Sequence, residues 1–95
     1  MQPETRKKII SLYYNWTPPR PDYGLPLCLA DDLAHVRAIK QGDSLLTLEQ
    51  LADASGYSLT YLEELSRALD EGVSEQEWED FTQVRVARRK APTET

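Results

Sequence analysis

Two short helical patterns meet at a glycine in residues 47–67, TLEQLADASGYSLTYLEELSR. Thr47 and Gln50 have the spacing of a capping box, which predicts that a helix begins here. The apolar residues of this helix share one face: Leu48, Leu51 and Ala52. Gly56 is predicted to end the helix, because the C′ position favours a left-handed conformation that glycine adopts at the lowest cost.

A second helix is predicted to begin directly after this glycine. Ser58 has the right chemistry to cap its first turn. Four leucines at helical spacing are expected to form its inward stripe: Leu59, Leu62, Leu65 and Leu69. The turn between the two helices is then only about three residues long, as a helix-turn-helix requires.

These residues resemble the helix-turn-helix of the lambda-repressor and Cro type, and also that of AraC-like regulators. The residues at the family's core positions are Leu51, Ala52, Gly56, Leu62 and Leu65. The resemblance covers roughly residues 29–72, where a preceding scaffold helix carries Leu29, Leu33, Val36 and Ile39. It implies that double-stranded DNA is the ligand and that the helix from Ser58 to about Asp70 enters the major groove. The residues expected to face the bases are Ser58, Thr60, Tyr61, Glu63, Glu64 and Arg67.

The charge of the chain is divided into an acidic middle and two basic ends. Residues 31–80 contain thirteen acidic and three basic residues, a net charge of −10, whereas residues 1–30 carry +2 and residues 81–95 carry +3. If DNA binds, the ends are expected to supply the phosphate contacts, from Arg6, Lys7, Lys8, Arg85, Arg88, Arg89 and Lys90. The alternative is that these cations pair with the acidic middle and complement a helix dipole.

Two functions follow from these patterns. The first is a small DNA-binding transcriptional regulator, with a homodimer as its expected form. The second is a non-catalytic interaction module, acting as an adaptor, an inhibitor or an acidic mimic of nucleic acid, which binds a basic protein partner. The motif match at several fixed positions places the regulator first. The acidic middle supports the interaction module, because complementary charge steers such encounters.

The whole chain is predicted to be an all-α bundle of about five helices. Residues 1–28 comprise a helix of about 12 residues, which begins at Pro3 and stops near Trp16, and a proline-rich connector. Residues 29–90 comprise the helix-turn-helix domain and a C-terminal helix, which a second capping box starts at Ser74. The stretch 82–90 fits either helix or strand, and residues 91–95 are expected to be a flexible tail.

The sequence offers few groups for catalysis. At 95 residues the chain is too short for two lobes around a large cleft. Cys28 is the only cysteine and His35 the only histidine, and Asp31 with Asp32 fits the first turn of a helix. With no cofactor or metal motif, the sequence predicts no enzyme, no cofactor and no metal site. No membrane span or secretory signal is recognisable, which predicts a cytoplasmic protein.

Overall fold

The computed structural model describes residues 1–15, 28–55 and 57–85 as a small all-α bundle, as predicted. Five helices lie in this part of the chain: α1 Pro3–Tyr14, α2 Leu29–Lys40, α3 Leu48–Ser55, α4 Leu59–Glu71 and α5 Glu75–Phe81. The predicted Gly56 cap, most of the proline-rich connector and the tail 91–95 lie outside the described residues.

The first helix has the predicted start and length. Pro3 occupies the first turn of α1, where its missing N–H removes no helical hydrogen bond. The helix is 12 residues long, and Ile9 and Tyr13 are buried on its inner face. The two residues are four positions apart and therefore share one face of the helix.

The helix starts after α2 follow the predicted capping chemistry. The Gln50 N–H donates to Thr47 Oγ1 at 3.1 Å, and the Thr47 N–H donates to Gln50 Oε1 at 2.9 Å. At α4, the Tyr61 N–H donates to Ser58 Oγ. A second complete capping box starts α5, between Ser74 and the third helical residue. These caps depend on neighbouring residues only, so their spacing is sufficient to predict them.

The sequence fits either helix or strand after residue 81, and the structure distinguishes the two for residues 82–85. The helix stops at Phe81, and Arg85 forms an isolated antiparallel bridge with Cys28. The Leu29 N–H donates to the Val84 carbonyl at 2.8 Å, which joins the exit of α5 to the start of α2. Residues 82–85 are therefore not helical, and residues 86–90 lie outside the described part of the chain.

Helix α4 is the central element of the bundle. It packs against α1, α2 and α3, while α5 packs against α2. The side chains of Leu62 and Leu65 are fully buried, as predicted, and Leu69 is partly buried. Leu59, however, is exposed, and its expected place in the core is wrong. Tyr61 and Ala68 complete the buried face instead. The helices α1, α2 and α3 all pack against α4, and together they cover the side on which these two residues lie.

Candidate functional site

The outer surface of α4 is defined by the neighbours on its two sides. Glu64 faces α1, where its carboxylate lies 3.4 Å from Lys8 Nζ. Ser66 faces α2, where its hydroxyl accepts from Lys40 Nζ at 3.0 Å. At 3.6 residues per turn, the positions between these two sides form a single strip. We call it the α4 strip, and its residues, all exposed, are Leu59, Thr60, Glu63, Arg67, Asp70 and Glu71.

The six residues predicted to face DNA bases differ in their exposure to solvent. Four are exposed on the outside of α4 or at its cap: Ser58, Thr60, Glu63 and Arg67. The expectation that Tyr61 is exposed is wrong, because its side chain is only 1% exposed and lies in the core. Glu64 is largely covered, and its Oε1 atom is buried with no hydrogen-bond partner among the described residues. Glu64 therefore belongs to the interface between α1 and α4.

A buried carboxylate explains why Tyr61 turns inward. Asp32 is 1% exposed and lies in the first turn of α2, where the helix N-terminus favours negative charge. It accepts hydrogen bonds from the Tyr61 hydroxyl at 2.6 Å and from the Tyr57 hydroxyl at 2.8 Å. The two rings meet edge to face, with their centroids 6.0 Å apart. This cluster joins α2 to the turn before α4 and to the first turn of α4.

No sequence spacing reveals this cluster. Tyr57 and Tyr61 are four residues apart and so can share one side of a helical segment, which is the only local signal. Asp32 is 29 residues away from Tyr61 along the chain. The predicted position of Asp32 in the first turn of a helix is confirmed, but its partners lie too far along the chain to be predicted.

Two of the three cations of α1, Arg6 and Lys8, lie close to carboxylates. Arg6 lies 3.4 Å from Asp80 and 3.8 Å from Glu77, and its guanidinium carbon is 5.2 Å from the centre of the Phe81 ring. Lys8 pairs with Glu64, as described above. These two contacts agree with the alternative in which basic residues pair with the acidic middle. Lys7 and Arg85 are exposed, while Arg88, Arg89 and Lys90 lie outside the described residues.

The surface of α3 and α4 is strongly acidic. Residues 48–71 contain six acidic residues and Arg67 as the single basic one, a net charge of −5. Arg67 lies along the helix toward Glu71, at 3.5 Å, and Lys40 neutralises Asp70 at 2.8 Å. The carboxylates of Glu49, Asp53 and Glu63 are exposed and have no ion-pair partner within the described residues. These three carboxylates give the α3–α4 surface its exposed negative charge.

A second set of carboxylates holds the start of the chain against the end of α4. The Glu71 carboxylate accepts from the Gln2 N–H at 2.9 Å and from the Thr5 hydroxyl at 3.0 Å. The Met1 amine lies 3.6 Å from Glu77 and donates to the Gly72 carbonyl. The backbone N–H of Gln2 is the main cause that lowers the pKa of Glu71, and the backbone N–H of Ser74 is the main cause that lowers the pKa of Glu77.

Cys28 and His35, the single cysteine and the single histidine of the sequence, differ in their exposure to solvent. Cys28 is buried, and burial raises the pKa of its thiol, which disfavours the reactive thiolate. His35 is exposed on α2. No three His, Cys, Asp or Glu side chains among residues 1–15, 28–55 and 57–85 are grouped so that they can hold a metal ion. Across the same residues, no helix has the length and apolar character needed to cross a membrane.

Comparisons with protein-family models, with curated proteins and with solved structures find no match to this chain.

Proposed function

We propose that the protein is a non-catalytic interaction module that binds a basic segment of a partner protein. The observation that carries this proposal is the arrangement of charge. Within residues 1–15, 28–55 and 57–85, Glu49, Asp53 and Glu63 on the α3–α4 surface have no ion-pair partner, while Arg6 and Lys8 are paired with carboxylates. A surface with this charge attracts lysine and arginine side chains and speeds their encounter.

The same charges oppose DNA. A protein that reads duplex DNA gains most of its affinity by neutralising phosphates with Lys and Arg. On the α4 strip Arg67 is the only cation, and it is shared with Glu71. A basic protein segment needs no such footprint, so the geometry supports it better.

Binding of a fluorescent Lys/Arg-rich peptide to the full chain tests the proposal. We expect binding that weakens as salt rises, since screening reduces attraction between exposed charges. The double variant Asp53→Asn/Glu63→Gln should weaken binding by about tenfold at low salt. The matched control is Glu75→Gln/Glu79→Gln, which removes the same charge from α5 and should bind nearly as the unmodified chain does.

Two results would count against this surface. One is a peptide affinity that the two double variants lower equally, because net charge alone would then explain binding. The other is absence of peptide binding even at low salt.

A DNA-binding regulator is the second candidate function. It is supported by the connection between α3 and α4, since α3 ends at Ser55 and α4 begins at Leu59, the spacing of a helix-turn-helix. The exposed base-facing candidates are Ser58, Thr60, Glu63 and Arg67, with phosphate contacts from Lys7, Arg85, Arg88, Arg89 and Lys90. Such a regulator would act in the cytoplasm and as a homodimer.

Salt titration of binding to mixed duplex DNA tests this candidate. A regulator should lose affinity steeply as salt rises, and Arg88→Ala/Arg89→Ala should reduce the slope of log K against log salt by about 2, because two phosphate contacts are removed. If the slope of log K against log salt is the same in this variant as in the unmodified chain, Arg88 and Arg89 do not contact phosphate. No binding at low salt would remove DNA as the ligand.

A further inference from the structure

The connection between α2 and α3 is ordered but presents two leucines to solvent. Gly42 adopts a positive φ of +78° at the end of α2, and the Asp43 N–H donates to the Ala38 carbonyl at 2.9 Å. The Leu46 N–H then donates to Ser44 Oγ at 3.2 Å. Despite these hydrogen bonds, the side chain of Leu45 is fully exposed and that of Leu46 is 42% exposed.

A single exposed leucine is ordinary on a protein surface and needs no explanation. Here, two consecutive leucines lie between Asp43 and Glu49, whose carboxylates have no ion-pair partner among the described residues. The connection also begins beside the α4 strip, because Lys40, at the end of α2, is bonded to Asp70. The two leucines therefore add exposed apolar side chains beside the acidic surface.

We propose that Leu45 and Leu46 are the apolar anchor for a basic, amphipathic segment of the partner protein. The proposal rests on the proposed function and specifies the chemistry of the partner. The occupant is identified by complementarity: its apolar side chains cover the two leucines, and its cations face Asp43 and Glu49. Phosphate groups of nucleic acid and anionic lipid headgroups are repelled by the same carboxylates.

Two peptides of equal length and equal lysine content test the anchor against the full chain. One carries leucines at helical spacing, and in the other these leucines are replaced by serine. We expect the chain to bind the leucine peptide about tenfold more tightly, which corresponds to about 1.4 kcal/mol. Leu45→Ser should remove this preference, whereas Leu45→Met should keep it, because methionine preserves the apolar surface.

Tyr14→Ser is the control, since Tyr14 is also exposed but lies on α1. It should leave the preference for the leucine peptide unchanged. Because Leu45 is fully exposed, Leu45→Ser should unfold with the same Tm as the unmodified chain, so loss of folding does not obscure the result.

The outcomes separate this inference from the proposed function. Equal binding of both peptides by the unmodified chain would overturn the anchor and leave the acidic surface in place. A preference that survives in Leu45→Ser would also overturn it, since the apolar contact would lie elsewhere. If neither peptide binds, the proposed function itself fails.

Discussion

The Asp32 carboxylate is the residue whose environment most constrains the fold. It is buried, and the hydroxyls of Tyr57 and Tyr61 both donate to it, which compensates part of its lost hydration. Tyr61→Phe removes one of these donors and keeps the ring. We expect this change to lower the free energy of unfolding by about 1–3 kcal/mol, the usual cost of removing a donor from a buried acceptor.

Urea denaturation measures this loss, and Tyr14→Phe provides the control. Tyr14 is half exposed, so removal of its hydroxyl should change the free energy of unfolding by less than about 0.5 kcal/mol. Equal stability of Tyr61→Phe and the unmodified chain would show that Asp32 does not depend on this hydroxyl.

The start of α5 carries a pH-dependent contribution to stability. The Glu77 carboxylate accepts from the Ser74 N–H and lies near the Met1 amine and Arg6, and these contacts lower the pKa of Glu77 in the folded state. A carboxyl group with a lowered folded pKa contributes stability above its unfolded pKa, which is near 4.5. That contribution is lost as pH falls through the folded pKa.

Glu77→Gln isolates this contribution, because glutamine can also complete a capping box but does not titrate. We expect the variant to be less stable than the unmodified chain at pH 7 and the difference to shrink as pH falls below about 4. Thermal unfolding across this pH range measures the effect, with Ser74→Ala as a reference for loss of the cap, at about 1 kcal/mol. A difference that does not vary with pH would contradict the assignment to the charged carboxylate.

The helices were more predictable than the faces they bury. Thr47, Ser58 and Ser74 cap their helices as predicted, because a cap is decided within one turn. The buried face of α4 depends on α1, α2 and α3 together, and for this reason Leu59 was misplaced. Tyr61 was misplaced for a related reason, since its partner Asp32 lies on another helix.

The distribution of charge across the molecule was visible in the sequence, but its pairing was not. The counts give an acidic middle between basic ends. Only the packing of α1 against α4 and α5 shows that Lys8 meets Glu64 and that Arg6 meets Asp80. This packing, and not the residue counts, therefore determines which carboxylates have no ion-pair partner among the described residues. The proposed function rests on those carboxylates.

The central position of α4 predicts that the bundle unfolds as one unit. Leu65 lies on the buried face of α4 and is fully buried, so Leu65→Ala should lower the free energy of unfolding by about 2–5 kcal/mol.

Trp78 lies on α5, which packs against α2, and the guanidinium carbon of Arg37 is 4.6 Å from the centre of its ring. If α4 couples these elements, Trp78 fluorescence, measured in a Trp16→Phe background, and far-UV circular dichroism should give the same denaturation midpoint for Leu65→Ala. A fluorescence midpoint that stays at the value of the unmodified chain while helicity is lost earlier would show that α2 and α5 form a separate cooperative unit.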